Sequence, residues 1–142
     1  MPLTSIDIHE GVYNTQQRQA ISSALHQAMK DELGIPEDDR LHVLYEHPEG
    51  TMLHDDVIFG VPRTERLMFV TFSFNNRDAA TKQKLFSAAI ERLREIADVG
   101  PDEVMFRVIE TESANWWGSG RVVNHATGYD ERMTSKAGRR MR

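Results

Sequence analysis

The sequence contains no cysteine, and this absence excludes several classes of site at once. A disulfide framework, a zinc site built on thiolates and a cysteine nucleophile all need that residue. Long apolar runs are also missing, because no stretch approaches the roughly twenty residues that a membrane-spanning helix requires. The first residues have neither a basic start nor a continuous apolar segment, so they do not resemble a secretory signal. These features predict a soluble, cytoplasmic protein with no membrane partner.

Positive charge is scarce as well, since 22 acidic side chains outnumber 17 basic ones and the formal net charge is −5. Nucleic-acid binding depends on clustered Lys and Arg that neutralise phosphates, so the composition predicts no nucleic-acid partner. The exception runs from Arg132 to Arg142, with five basic residues and no acidic one. Such a segment is typical of a solvated terminus, and we predict a flexible basic tail over residues 131–142. A nucleic-acid-binding tail is the alternative, which predicts salt-sensitive binding that is lost on truncation at Glu131.

The size suits one compact domain. A chain of 142 residues can bury roughly two thirds of its unfolded surface. Apolar residues make up 39% and charged residues 27%, as in globular rather than disordered proteins. We therefore predict a single domain over residues 1–130, followed by the tail.

The first part of the chain has the pattern of a strand, a helix and a second strand. Apolar and polar residues alternate over residues 3–8, which predicts a strand. Apolar residues then recur at helical spacing over residues 21–33, with Asn14 as a suitable cap before them and Gly34 as a stop after them. Residues 41–45 have the β-branched and aromatic character of a strand.

The same order returns after an irregular stretch from His47 to Thr64. Residues 67–74 predict a largely buried strand, and Asp78 is a suitable cap for a helix that Gly100 ends. Residues 104–109 predict the fourth strand. A shift of 65 residues relates the two parts.

The repeated order predicts tandem β-α-β units over about residues 2–47 and 66–110, an α+β (α/β) fold with one four-stranded sheet. Right-handed crossovers put both helices on one face of that sheet. The other face then needs a cover, and the economical cover is another copy of the chain, so we expect a closed homo-oligomer. Residues 121–123 predict a short extra strand that would suit pairing with a neighbouring subunit.

Pro2 follows the initiator methionine, which is normally removed before a residue as small as proline. Removal would turn Pro2 into a free secondary amine at the start of the first strand. An α-amino group titrates near about 7.7–8.0, and burial or a nearby guanidinium lowers that pKa toward the range in which a general base works best. The free amine is therefore a candidate acid or base.

Several short motifs, taken together, resemble one enzyme family. They are Pro2-Leu3, Gly11, Gly34-Ile35-Pro36, Asp38-Asp39-Arg40, Glu46-His47-Pro48, Phe59-Gly60-Val61-Pro62-Arg63, Asn76-Arg77, Thr81-Lys82-Gln83-Lys84, Glu110 and Asn115-Trp116. The chain resembles the tautomerase superfamily over about its first 128 residues, and within that superfamily the malonate semialdehyde decarboxylase-like group. The resemblance implies the tautomerase (MIF-like) β-α-β fold, assembly as a trimer or hexamer, and an amino-terminal proline that acts on small oxo acids.

The resemblance also implies roles for individual residues. Pro2 is the catalytic amine, Asp39 matches an aspartate that orders a proton or a water molecule, and Arg77 matches an arginine that holds the substrate carboxylate. Arginine suits this task because its planar guanidinium pairs bidentately with a carboxylate. The expected substrate-binding set is completed by Asn76, Trp116 and Trp117.

Each assignment has a structural alternative. Asp39 is equally suited to a surface loop. The segment around Arg77 could serve to cap a helix, through Asp78. The two tryptophans could belong to the core of an oligomer rather than to the wall of a pocket. His26 is expected to be a half-buried structural residue of the first helix.

Two departures from the family pattern leave the substrate open. Asn75 and Asn76 stand where some decarboxylases of this group carry a second arginine. The aromatic segment reads Trp116-Trp117-Gly118-Ser119-Gly120, whereas the family often has Trp-Ser-Phe-Gly.

We predict an enzyme, a tautomerase (isomerase) or a decarboxylase (lyase), in which Pro2 acts on a small 2-oxo or 3-oxo acid in a homotrimer. A neutral Pro2 would act as a base in keto-enol tautomerisation, and a protonated Pro2 would polarise a carbonyl for decarboxylation or hydration. The alternative is a non-catalytic oligomer that binds a ligand or a protein partner in the same pocket.

No cofactor and no metal are expected. The one cluster that suggests a metal site consists of His47, His54, Asp55 and Asp56. Its spacing matches no strong ligand pattern. The glycines at 118 and 120 lack the lysine of a phosphate-binding loop.

Overall fold

The computed structural model describes residues 2–118 and 120–122, and for Arg121 only the backbone. The predicted tail at 131–142 and the last residue of the predicted strand at 121–123 lie outside the described residues. The helices and strands, in chain order, are β1 (Leu3–His9), α1 (Thr15–Leu33), β2 (His42–His47), β3 (Val57–Ile58), β4 (Val61–Pro62), β5 (Met68–Asn75), α2 (Ala79–Ala97), β6 (Val104–Thr111), β7 (Trp117–Gly118) and β8 (Arg121–Val122). Neither α1 nor α2 is long and apolar enough to cross a membrane.

The main sheet has the strand order β2-β1-β5-β6. β1 is parallel to β2 and β5 is parallel to β6, whereas the two central strands are antiparallel. This arrangement confirms the predicted tandem β-α-β units. It also brings the amino ends of β1 and β2 to the same edge of the sheet as the carboxyl ends of β5 and β6.

The core lies between the sheet and the two helices. Burial alternates along β1, where Thr4, Ile6 and Ile8 face inward, and the same alternation continues in β5 with Val70 and Phe72. These side chains join one apolar cluster with residues of α1 and α2, so both helices cover the same face, as predicted. Each buried aliphatic side chain contributes roughly 1.5–3 kcal/mol of transfer free energy.

Helix ends follow local sequence signals in three of four cases. Asn14 caps α1 through its bond from the Gln17 amide at 2.8 Å, and Gly34 ends the helix at φ 68°. Asp78 caps α2 through the Thr81 amide at 2.7 Å. The predicted stop at Gly100 is wrong, because α2 ends at Ala97 and Asp98 adopts φ 55°. Aspartate tolerates this left-handed conformation better than most residues with a β-carbon.

The opposite face of the sheet is more polar than expected. Asp7 accepts a hydrogen bond from His47 Nε2 at 2.6 Å. Arg107 donates from Nε to Thr71 Oγ1 at 2.8 Å and lies over the Phe69 ring. Apolar surface remains toward the two outer strands, where Tyr45 of β2 and Ile109 of β6 are each about half exposed.

Two small features were not predicted. The stretch between His47 and Thr64 contains a hairpin, β3 and β4, whose Arg63 donates to the Asp102 carbonyl at 2.8 Å. β8 pairs with β7 of the same chain in an antiparallel ladder.

His26 is fully buried rather than half-buried. Its Nε2 donates to the Glu37 carbonyl at 2.9 Å, which ties α1 to the loop before β2. Burial lowers the pKa of His26 to about 4, and the charges of Arg40 and Lys30 add to this effect. The side chain is therefore neutral at physiological pH.

Candidate active site

Pro2, Asp39 and Arg77 lie next to strand ends at the edge of the sheet where β1 and β2 begin and β5 and β6 end. Pro2 directly precedes β1, and Asp39 lies three residues before β2. Arg77 lies two residues after β5. The mixed strand directions therefore bring residues from three distant parts of the sequence to one place.

Pro2 is buried at this edge. Thr4 lies opposite His42 of β2 and opposite Phe72 of β5, and its amide donates to the Leu41 carbonyl at 3.0 Å. If the β1–β5 register is continued by two residues, Pro2 lies opposite Phe74. If the β1–β2 register is continued in the same way, Pro2 lies opposite the segment that follows Asp39.

Asp39 is a buried carboxyl group, 4% exposed, whose Oδ2 has no hydrogen-bond partner among the described residues. Its backbone is fixed by a bond from its amide to the Pro36 carbonyl at 3.1 Å. Burial raises the pKa of Asp39 to about 6. The positive charge of the amino terminus opposes this rise, and the negative charge of Asp38 adds to it.

Arg77 is held by the end of β5. Its Nη1 donates to the backbone carbonyls of Asn75 at 2.9 Å and of Asn76 at 3.1 Å, and its guanidinium lies 5.9 Å from the centre of the Phe74 ring. These bonds use only one nitrogen of the guanidinium. Neither Nε nor Nη2 donates a hydrogen bond to a described residue, so both remain available to an anionic ligand.

Asn76 contributes its backbone to this arrangement, since its carbonyl accepts from Arg77 while the residue itself is exposed. Trp116 is half-buried and its indole Nε1 donates to Thr111 Oγ1 at 2.9 Å. Trp117 differs from its neighbour, because it lies in β7 and is 71% exposed. Trp117 is thus mostly exposed in the described chain, whereas Trp116 is not.

The sequence did not predict the hydrogen bonds that hold the end of β5. Thr111 and Ser113 bond to the Asn75 side chain. The pairing of Asn75 with Thr111 follows from the β5–β6 register, which no local motif indicates. Lys82 of α2 and Glu110 of β6, both named among the shared motifs, pair at 2.6 Å.

The suggested metal cluster does not assemble. His47 bonds to Asp7, and His54 lies 2.8 Å from His9 between their Nε2 atoms, both at the opposite edge of the sheet from Pro2. Among residues 2–118 and 120–122, no three His, Asp or Glu side chains are placed to hold a metal ion.

Comparison with known proteins decides the family. A family profile described as a tautomerase enzyme matches residues 39–117, which is more than half of the chain, and a second profile of the same description matches residues 2–61. The chain belongs to the tautomerase superfamily. The prediction made from the short motifs is therefore confirmed.

Individual relatives refine the position of the chain within this superfamily. It is 27% identical over 116 residues to the probable tautomerase YrdN of Bacillus subtilis. The matched region covers 82% of this chain and 89% of YrdN. A solved malonate semialdehyde decarboxylase superposes with a TM-score of 0.77 at 27% identity, covering 84% of this chain and 92% of the other. A fused 4-OT trimer superposes at 0.68 with 16% identity over 84% of this chain and 94% of the other, a likeness that shows the fold alone. Within the superfamily, the chain thus lies close to the malonate semialdehyde decarboxylase-like group.

Proposed function

We propose that this tautomerase uses the nitrogen of Pro2, freed by removal of Met1, as an acid or base on a small 2-oxo or 3-oxo acid. The reaction is keto-enol tautomerisation, decarboxylation of the malonate semialdehyde type, or both. One observation carries the proposal: buried Pro2, buried Asp39 and the half-buried Arg77 lie at the same edge of the sheet. The family profile that begins its match at residue 2 supports the role of the amino terminus.

Arg77 binds the carboxylate of the substrate in this proposal. Its anchoring through Nη1 fixes the guanidinium before the substrate arrives, so less side-chain entropy is lost on binding. The Nε and Nη2 groups can then form the paired hydrogen bonds that a carboxylate accepts.

The protonation state of Pro2 decides the reaction. A neutral ring nitrogen takes the proton of an enol hydroxyl and, as its conjugate acid, delivers a proton to the adjacent carbon, so the enol becomes a ketone. A protonated nitrogen instead stabilises the charge that develops on a carbonyl oxygen as the bond to the carboxylate carbon breaks and carbon dioxide leaves. The resulting enolate carbon then takes up a proton from that nitrogen or from water.

Asp39 supplies the second proton-transfer group. A carboxyl with a pKa of about 6 is present in both protonation states near neutral pH, which is the condition for efficient general acid-base catalysis. Its unpartnered Oδ2 has no competing bond within the described chain, so it can hold a water molecule or a substrate proton.

We also propose that the working form is a homotrimer. Neither helix covers the sheet face that carries Tyr45 and Ile109, and a second copy would bury that surface. The fused 4-OT protein of the same fold is a trimer, which supports the same assembly here.

The test compares the wild type with Pro2→Ala in two assays, ketonisation of phenylenolpyruvate and decarboxylation of malonate semialdehyde. We expect kcat/KM to fall by about a hundredfold or more in at least one assay, because the alanine amine is a primary amine with different basicity and position. Intact-mass measurement of both proteins establishes that Met1 is absent.

The matched control is Pro48→Ala, an exposed proline just beyond the far end of β2, which should leave both activities unchanged. Retention of full activity in Pro2→Ala, or a retained Met1 in an active wild type, would disprove the catalytic amine. Absence of turnover in the wild type, with saturable binding of either acid, would favour the non-catalytic binding protein.

A further inference from the structure

A continuous chain of hydrogen bonds joins the ends of β5 and β6 at the candidate active site. The Trp116 indole donates to Thr111 Oγ1 at 2.9 Å, Thr111 donates to Asn75 Oδ1 at 3.3 Å, and Asn75 Nδ2 donates to Ser113 Oγ at 2.9 Å. Ser113 is 5% exposed and begins the helical turn that leads directly to Trp116.

The Thr111 hydroxyl is the link between the indole and Asn75. An indole N–H can only donate, so the Thr111 oxygen accepts from it. The Thr111 hydroxyl in turn donates to the Asn75 oxygen, and the Asn75 nitrogen donates to Ser113. Removal of the Thr111 hydroxyl would therefore break the connection between the indole and Asn75.

Asn75 connects this chain to Arg77. Its backbone carbonyl accepts from Arg77 Nη1 at 2.9 Å, while its side chain bonds to Thr111 and Ser113. The cross-strand register pairs Asn75 with Thr111, so the two side chains are neighbours by the geometry of the sheet. One residue therefore holds both the guanidinium and, through Thr111, the indole.

We infer that Thr111 and Asn75 are positioning residues, which fix the Trp116 indole relative to Arg77. The substrate then binds against an indole that is already in place. This inference rests on the proposed function for its catalytic consequence. Trp117 lacks any such tether in the described chain and is 71% exposed, so the two tryptophans have different tasks. A fixed indole limits the poses of a bound oxo acid, and a misplacement of about 1 Å can cost up to a hundredfold in rate.

Thr111→Val tests the inference because it keeps the shape of the side chain and removes the hydroxyl. The first measurement is solvent exchange of the indole N–H protons by nuclear magnetic resonance. The chain has two tryptophans, so Trp117 is an internal reference and Trp116→Phe assigns the signals. We expect the Trp116 proton to exchange at least about tenfold more slowly than that of Trp117 in the wild type. Thr111→Val should remove this difference, and Thr111→Ser should restore it.

The second measurement is ketonisation of phenylenolpyruvate over a range of pH. Thr111→Val should lower kcat/KM by about tenfold or more, mainly through KM, and leave the pH midpoint of the rate profile in place, since the proton-transfer groups are untouched. Thr111→Ser should recover most of the wild-type value.

The two measurements separate failure of the inference from failure of the proposed function. Unchanged indole exchange in Thr111→Val overturns the inference, whether or not the protein is active. A loosened indole with unchanged kcat/KM in an active enzyme overturns it as well. A wild type without turnover refutes the proposed function and also the catalytic consequence inferred here, while the exchange data still decide whether Thr111 holds the indole.

Discussion

Asp39 is a carboxyl group that the fold buries although its Oδ2 has no hydrogen-bond partner among the described residues. The unfolded chain holds such a group at a pKa near 3.8, and burial raises the pKa to about 6 in the folded protein. The folded state therefore binds more protons between these values. The contribution of this carboxyl to the free energy of unfolding is fully present below pH 3.8, and it is lost as the pH rises through 6.

Asp39→Asn should therefore be more stable than the wild type at pH 7.5 and equally stable near pH 4. We expect the free energy of unfolding at pH 7.5 to rise by about 1–3 kcal/mol, or several degrees in Tm, because the asparagine carries no charge to desolvate. Thermal unfolding at several pH values measures this. The control, Asp55→Asn, changes an exposed carboxyl at the opposite edge.

A constant Tm difference across the pH range would contradict this account of Asp39. The expected gain in stability accompanies an expected loss of activity, since the same charge is proposed to take part in proton transfer. Natural sites commonly combine the two effects.

The roles of Pro2, Asp39 and Arg77 were predicted from short motifs shared with a family, and these residues lie at one edge of the sheet. Residues that act through a neighbour were not predictable in this way. Thr111 and Asn75 are 36 positions apart, and only the β5–β6 register makes them partners. Hydroxyl and amide side chains of this kind occur on every strand, so nothing local distinguishes them.

Among the elements, the β3–β4 hairpin departs most from local preference. Its turn consists of Phe59 at φ 54° and Gly60 at φ 74°, two positive values that are characteristic of a type I′ turn. Glycine adopts such values without cost, but a bulky residue does so under strain. Phe59 is also 85% exposed, so no packing within the described chain compensates.

Phe59→Asn should stabilise the isolated chain, because asparagine is favoured at this position of the turn. We expect a gain of about 0.5–1 kcal/mol, measured by urea unfolding. Gly60→Ala is the paired control and should destabilise by a similar amount through φ alone, since no heavy atom lies within 4 Å of the added β-carbon. A loss of stability in Phe59→Asn would mean that the phenyl ring packs against something beyond the single chain.

The helices were predictable and the hairpin was not, for a physical reason. α1 begins after Asn14 and ends at Gly34 because both residues satisfy backbone groups that are exposed at helix ends. α2 ends at Ala97 because Asp98, directly after it, takes the left-handed conformation usually adopted by glycine, so the predicted end falls too late. The two-residue strands β3 and β4 are too short to produce a pattern, and Phe59-Gly60 is not a common turn pair.

At the scale of the whole molecule, the proposed trimer predicts a molar mass of three times 16.3 kDa by light scattering. Ile109→Glu, on the sheet face that the helices leave open, should lower that mass toward one chain, because an interface cannot bury an unpaired charge without cost. Ile96→Glu, on α2, is the matched control, since the wild-type side chain is similarly exposed and lies on the other side of the sheet. A wild type that elutes as a single chain, or equal masses for both variants, would contradict the assembly.

The two β-α-β units give the sheet two edges of similar construction, but Pro2 lies at only one of them. Leu67 precedes β5 as Pro2 precedes β1, yet its nitrogen is a peptide amide that donates to the Thr64 carbonyl at 3.1 Å. An amide nitrogen does not bind a proton near neutral pH. A sheet formed by two β-α-β units of one polypeptide therefore has one candidate amine, at Pro2, rather than one for each unit. If Pro2 acts as proposed, the distal edge, with His9, Glu10 and Arg66, has no equivalent amine and the two edges differ in chemistry although they share a construction.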